Sequence, residues 1–288
     1  MALRDRQPVG NRLNSRVGKC RAPIAPPPAL VHGDSRVSND ISVIADVSFS
    51  PVERIGLLGG MSWESTAVYY RIVNERVRTL RGGLRSADCV VRSVDFAPVE
   101  ELQRRGDWEA AGRLLAAEAA QLQAAGCDLL VLCTNTMHKV AATIEAAITI
   151  PLLHIADTTG SAVAEAGLTS VGLLATAYTM EDEFYVGRLR DRHRLDVAIP
   201  DAADRADVHR IIYEELCMGT VDAASRERYR EIIAALVAAG AEGILYGCTE
   251  IDLLVGPDDA PVPVFDTTRL HAEQAVDVAL GRRPVPTA

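Results

Sequence analysis

The chain has little that would build a metal or disulfide framework. Its six cysteines, Cys20, Cys89, Cys127, Cys133, Cys217 and Cys248, form no CxxC pair and keep no regular spacing, so neither is expected. Free thiols suit a reducing compartment, and a cytoplasmic location is expected. No run of 18 or more apolar residues occurs, so no membrane contact is expected. The net charge is −9 and no basic stripe interrupts the body of the chain, which speaks against a nucleic-acid partner. No lysine stands in a context that suggests a Schiff base, so pyridoxal phosphate is not invoked. What the chain does have is bulk. It has 288 residues, 48% of them hydrophobic, enough for one large domain or two of about 110 residues each.

Residues 1–52 stand apart. They carry Arg4, Arg6, Arg12, Arg16, Lys19, Arg21 and the Pro26-Pro27-Pro28 run without apolar periodicity, and read as a disordered N-terminal extension. A secretory signal would need an apolar core that is missing. An organelle transit peptide fits the arginines but not Asp5, Asp34, Asp40 and Asp46. A mis-assigned start is the third option.

From Arg54 onward, short apolar strands alternate with helical spacing. Strands are predicted over 55–58, 89–94, 129–132, 148–155, 170–174, 243–246 and 262–265. Helices are predicted over 65–80, 108–125, 136–146, 181–189, 208–216 and 223–239. Apolar strands between helices imply parallel sheets covered on both faces.

The pattern also restarts. Ile55-Gly56-Leu57-Leu58 resembles Val171-Gly172-Leu173-Leu174, and a long alanine-rich helix later precedes an apolar strand in each half. Cys133 comes 78 positions after Ile55, and Cys248 comes 77 after Val171. The expected fold is therefore α/β with two pseudo-symmetric domains and the active site in the cleft between them. The domains are expected at 53–154, completed by 268–285, and at 155–267.

Ligands of open parallel sheets sit beyond the carboxyl ends of the strands. Cys133-Thr134-Asn135-Thr136 and Cys248-Thr249-Glu250 each follow an apolar strand directly. Two such segments facing each other would suit a reaction that removes a Cα proton on one face and returns one on the other. A thiol suits the work, because a helix N-terminus lowers its pKa towards the working range. A helix is expected to begin in each segment, capped by Thr or Asn, its N–H groups holding a substrate carboxylate.

Five stretches carry a resemblance: residues 55–66 (Ile55-Gly56-Leu57-Leu58-Gly59-Gly60-Met61-Ser62-Trp63-Glu64-Ser65-Thr66), Ser93-Val94-Asp95-Phe96, Cys133-Thr134-Asn135-Thr136-Met137-His138-Lys139, His154-Ile155-Ala156-Asp157 and Gly247-Cys248-Thr249-Glu250-Ile251. Over about residues 53–283 the chain resembles the aspartate/glutamate racemase superfamily, and within it the bacterial amino-acid racemases specific for L-aspartate and L-glutamate. The resemblance implies a small amino-acid substrate, a homodimer, and neither cofactor nor metal. It implies Met61 and Gln103 at the substrate; Asn135, Thr136, Thr176, Thr249 and Glu250 are expected there from their places in the two strand-end segments and the counterpart of the glycine loop.

One position departs from the wider family, which places cysteine immediately before Asn-Thr-x-His. Here that residue is Thr134, and Cys133 lies one earlier. Consecutive residues at a strand end point to opposite sides. Thr134 is therefore expected in the catalytic slot opposite Cys248, with Cys133 in the sheet packing. A threonine hydroxyl is a poor base, so Cys248 is expected to deprotonate one enantiomer efficiently while the Thr134 side is slow. The enzyme would then be strongly biased towards one enantiomer as substrate.

Other residues keep two readings. Arg104 or Arg105 would meet a side-chain carboxylate or end a solvated helix. Thr176 and Thr179 would bind the α-carboxylate or cap a helix. His138 would polarise the first segment or be a satisfied buried histidine. Glu250 would orient the substrate ammonium or cap its own helix. Gly59-Gly60-Met61-Ser62 lacks G-x-G-x-x-G spacing, so a carboxylate cradle is preferred to a dinucleotide loop. Cys20, Cys89, Cys127 and Cys217 read as packing or surface thiols. Alternative activities are a related Cα-carbanion enzyme (hydantoin racemase, maleate isomerase, arylmalonate decarboxylase) or a catalytically inactive amino-acid binder.

Overall fold

The computed structural model describes residues 53–286, and the extension expected over 1–52 lies outside the described residues. Two four-stranded parallel sheets form the frame. The first contains β1 (Ile55–Gly59), β2 (Cys89–Ser93), β3 (Leu129–Leu132) and β4 (Leu152–Leu153) in the order β2-β1-β3-β4. The second contains β5 (Ser170–Leu174), β6 (Asp196–Ala198), β7 (Ile244–Tyr246) and β8 (Val264–Asp266) in the order β6-β5-β7-β8. The central strands β1, β3 and β7 are buried along their whole length, as continuous apolar runs require.

Helices cover both faces. They are α1 (Trp63–Arg81), α2 (Phe96–Arg104), α3 (Trp108–Ala124), α4 (Ala141–Glu145), α5 (Ile155–Glu165), α6 (Ala177–Met180), α7 (Val186–His193), α8 (Ala202–Glu214), α9 (Ala223–Ala238), α10 (Ile251–Leu254) and α11 (Thr267–Ala279). In the first lobe, one core joins Ile55, Tyr69, Leu129 and Leu153 to Ala272, Ala275 and Val276 of α11. The opposite face packs Leu58, Leu115, Leu130 and Leu132 with Met137 and Ile144. The second lobe has a single core that includes Ile155 and Val163 of α5.

Several elements differ from their predicted extents. The strand predicted over 148–155 shrinks to Leu152–Leu153, because Ile155 already opens α5 with His154 as its cap. The helix predicted over 136–146 is a 3-10 stretch, Thr136–Val140, followed by α4. Strand β6 and helices α2, α5, α6 and α11 have no counterpart among the predicted elements. Helix α5 carries Thr158, Thr159 and Gly160, weak helix formers that tertiary packing overrides. Strand β6 is a three-residue edge with an exposed Asp196. The helix predicted over 181–189 begins at Val186. The helix predicted over 208–216 begins at Ala202, where Asp201 accepts from the Ala203 and Asp204 N–H groups.

The internal repeat is visible in the hydrogen bonds. Leu58 O accepts from Cys133 N at 2.8 Å, and Leu174 O accepts from Gly247 N at 2.8 Å. Leu58 also pairs with Leu132 as Leu174 pairs with Tyr246. The counterpart of Cys133 is therefore Gly247, and the counterpart of Cys248 is Thr134. Matching the two cysteines on their nearly equal separations, 78 and 77 positions, pairs Cys133 with Cys248, a slip of one position from this register.

Candidate active site

The carboxyl ends of β1, β3 and β7, with the start of α6, surround a cavity of about 40 Å³ between the lobes. Met61, Gln103, Thr134, Asn135 and Thr136 line it from the first lobe. Thr176, Cys248, Thr249 and Glu250 line it from the second. All nine residues expected at the site thus meet in one place.

Cys133 lies elsewhere. It is fully buried in the core behind α1 and α11, its Sγ directed at the Val131 carbonyl at 3.7 Å. Burial pushes its thiol far above the usual range. Thr134 turns the other way, onto the cavity lining. Alternation at a strand end accounts for the difference.

Cys248 does not sit in the environment that a helix N-terminus would give it. Helix α10 has four residues and begins only at Ile251. The sulfur donates instead to Glu250 Oε2 at 2.9 Å. Burial and the Glu250 charge both hold the thiol well above its ordinary pKa. Among these neighbours Cys248 is therefore a protonated thiol at neutral pH, contrary to the lowered value expected from its place in the sequence.

Glu250 is 5% exposed, and its other oxygen, Oε1, accepts from Ser62 Oγ at 2.7 Å. Thr136, Thr176 and Thr179 form a cluster of three hydroxyls, 3.1 to 3.2 Å apart, which joins the two lobes. Thr176 occupies the N-cap position of α6 without capping it through its side chain. Asn135 donates to Thr267 Oγ1 at 3.1 Å and makes no side-chain cap bond either. Gln103 is 3% exposed and accepts from the Tyr213 hydroxyl at 3.4 Å.

His138 is a satisfied buried histidine. Its Nδ1–H donates to the Thr134 carbonyl at 2.7 Å and its Nε2 accepts from Ile155 N–H at 3.2 Å. Burial and His154 keep it neutral. It does not reach the cavity lining, but it fixes the peptide that carries Thr134.

Neither candidate arginine reaches the site. Arg104 is exposed and paired with Glu101, and Arg105 is exposed at the end of α2. Among the described residues no lysine or arginine lines the cavity. Lys139 lies outside that lining, paired with Asp182 and 4.3 Å over the Trp108 ring. No group of three or more His, Cys, Asp or Glu could hold a metal among the described residues. No helix there is long and apolar enough to cross a membrane.

The lining also holds Ser62, the last residue of the glycine loop read as a carboxylate cradle, and Phe96, Ile212, Tyr213, Cys217 and Gly247, which sequence reasoning does not place at the site. Phe96 and Gly247 stand inside the family-like motifs, which is the signal that could have found them. Ile212, Tyr213 and Cys217 come from α8 and the turn after it, where nothing in the spacing marks them. Cys217 packs against the core of the second lobe, as expected, and is also a second thiol of the site, pushed up to about 12 by burial, Glu250 and Glu64.

Comparison with known proteins agrees with this architecture. The model of a family described as Asp/Glu/hydantoin racemase matches residues 58–275. The crystal structure of a putative Asp/Glu racemase from Yersinia pestis is 54% identical, with a TM-score of 0.76, covering 79% of this chain and 99% of that one. An aspartate racemase homologue from Pyrococcus horikoshii OT3 is 30% identical, with a TM-score of 0.69, over 79% and 99%. The broad specificity amino-acid racemase RacX of Bacillus subtilis is 20% identical, over 78% of this chain and 98% of its own.

Proposed function

This chain belongs to the Asp/Glu/hydantoin racemase family, and from that premise we propose that it inverts the Cα of a free amino acid, with Thr134 and Cys248 on opposite faces of the substrate. The observation that carries this reading is the register of the two lobes. Thr134 and Cys248 follow equivalent hydrogen-bonded positions at the ends of β3 and β7, and both line one cavity.

In this reading the substrate ammonium lies beside Glu250. Its positive charge offsets the carboxylate and favours the Cys248 thiolate, which the protein's own groups disfavour. Cys248 gives its proton to solvent as the substrate binds, the thiolate then takes the Cα proton and becomes a thiol again, and a solvent proton relayed through the Thr134 hydroxyl reaches the other face. The hydroxyls of Thr136 and Thr176 and the amide of Asn135 hold the α-carboxylate. The chain's own groups supply both acid and base, without pyridoxal phosphate.

Aspartate and glutamate are proposed as substrates on the likeness to the Yersinia and Pyrococcus proteins. Their side-chain carboxylate would be met by neutral donors, Gln103 foremost, because among the described residues no lysine or arginine lines the cavity. The same observation favours a second reading, a neutral amino-acid substrate.

A bias towards one hand takes a different form from the one expected. The equilibrium between enantiomers is unity, so kcat/KM must be equal in the two directions whatever the acids and bases are. Asymmetry is confined to kcat and KM taken separately, and to the return of a solvent proton to the face it left.

Proton NMR in D2O across L- and D-amino acids tests the proposal. Deuterium should enter Cα, with inversion, for aspartate or glutamate in the first reading and for a neutral amino acid in the second. Cys248→Ala should lose about 10²- to 10⁴-fold of that rate, the usual worth of a positioned acid or base. Wild-type exchange in Cys248→Ala would end the mechanism. Binding without exchange would identify an inactive binder, and loss of CO2 a decarboxylase.

A further inference from the structure

The first turn of α1 holds the segments that carry both proposed proton-transfer groups. Ser62 Oγ accepts from Ser65 N–H at 3.2 Å, so it caps the helix, and donates to Glu250 Oε1 at 2.7 Å across the cleft. Thr249 Oγ1 donates to Ser65 Oγ at 2.6 Å. The Ser65 hydroxyl proton in turn points to the Cys133 carbonyl at 3.4 Å. Ser65 therefore touches the residue after Cys248 on one lobe and the peptide before Thr134 on the other.

Ser62 and Ser65 are 8% and 2% exposed. Water has little access to replace these bonds, so losing one partner leaves the other unsatisfied. The hydroxyls are also short, and transmit position better than a long, rotamer-rich side chain would. Inversion makes a stricter demand than simple exchange. Exchange needs one group correctly placed, whereas inversion needs two at a fixed separation across one carbanion. A misplacement of about 1 Å can cost on the order of 10²-fold in rate.

We infer that Ser65, with Ser62 beside it, is a positioning residue that sets the separation between Thr134 and Cys248. The inference rests on the racemase reading above. The Met61-Ser62-Trp63-Glu64-Ser65 stretch then acts as a clasp that closes the second lobe onto the first at the required spacing.

The test is the ratio of Cα deuterium exchange with retention to exchange with inversion in D2O. It is read on whichever member of the full L- and D-amino-acid panel the wild-type protein processes fastest. Ser65→Ala removes one hydroxyl from a helix that tolerates alanine well, and a thermal melt checks that it folds. Inversion should fall about ten-fold or more and exchange with retention by much less, so that the ratio rises at least about three-fold. Thr249→Val should reproduce the rise, and the double variant should add little to either single change, because both remove the same bond. Thr249→Ser keeps the hydroxyl and should keep the wild-type ratio.

An equal fall in both rates, or an unchanged ratio, would make Ser65 a packing residue and overturn the inference while leaving the racemase reading intact. No Cα exchange by the wild-type protein on any amino acid would overturn both.

Discussion

Cys248 and Glu250 form the pair on which the proposed chemistry turns. A carboxylate 2.9 Å from a thiol accepts its proton in a hydrogen bond and, by its charge, opposes thiolate formation. The protein's own groups therefore keep the thiol quiet, and in the proposed reaction activation waits for the substrate's cationic group. Alkylation by iodoacetamide, followed peptide by peptide so that Cys217 is scored separately, should show this directly. The reaction of Cys248 in free enzyme should reach half its limiting rate at a pH above that of an ordinary thiol. In Glu250→Gln the neighbouring charge is gone, and the midpoint should move to lower pH. A midpoint that does not move would mean that burial alone sets the thiol and that Glu250 serves only the substrate.

The turn after β1 shows how an element places a site. Gly60 has φ of +92°, and a Cβ added there would lie 2.1 Å from the Val94 carbonyl oxygen. Only glycine lets the chain leave the strand tightly enough to deliver Met61 and Ser62 to the cavity. Gly60→Ala should destabilise the fold by roughly 3 kcal/mol or more in chemical denaturation, the cost of strain together with a backbone clash. It should also raise KM in any fraction that folds. This turn is legible in the sequence, as are the buried strands and the segments after β3 and β7, because apolar runs ending in glycine or threonine signal strand ends locally. Tyr213 and Cys217 are not legible, since their place depends on how α8 packs across the cleft. The raised Cys248 thiol escapes sequence reasoning for a related cause. The sequence offers a helix start, but the folded chain delays α10 until Ile251 and turns Glu250 onto the sulfur instead. Whether a cysteine near a helix start is activated or silenced is decided by which side chain turns towards it.

At the scale of the whole molecule, the lobes meet over a buried histidine cluster. His138 and His154 meet at a tilt of 59° with ring centres 4.6 Å apart, and the ring centres of His138 and His271 lie 5.7 Å apart. His271 Nε2–H donates to the Leu153 carbonyl and its Nδ1 accepts from the Tyr69 hydroxyl, both at 2.8 Å. His138 and His271 are thus satisfied as neutral imidazoles, and a second proton would break a bond as well as bury a charge. Burial holds His154 and His271 down to about 3, helped by Arg188 at His154 and by His138 at His271. Between that value and the ordinary 6.5 the unfolded chain binds protons that the folded chain refuses. Stability from these groups is therefore complete above pH 6.5 and falls as pH drops towards 3, at about 1.4 kcal/mol per pH unit for each histidine. Asp157, held low by Arg188 and His193 against the opposing effect of its burial, adds its own loss only as pH falls below the usual carboxylate range. The melting temperature should therefore decline steeply from pH 6.5 to 4.5. His271→Gln keeps an amide donor for Leu153 but takes up no proton, so its stability should fall with a slope shallower by about one proton. An unchanged slope would remove this cluster as the origin of acid sensitivity. The same acidification should reach the active site, because His138 holds the Thr134 carbonyl and the Ile155 N–H together. Charging His138 would forfeit its acceptor nitrogen, but burial holds it neutral well below its ordinary range, so the Thr134 segment should loosen only as the fold itself gives way.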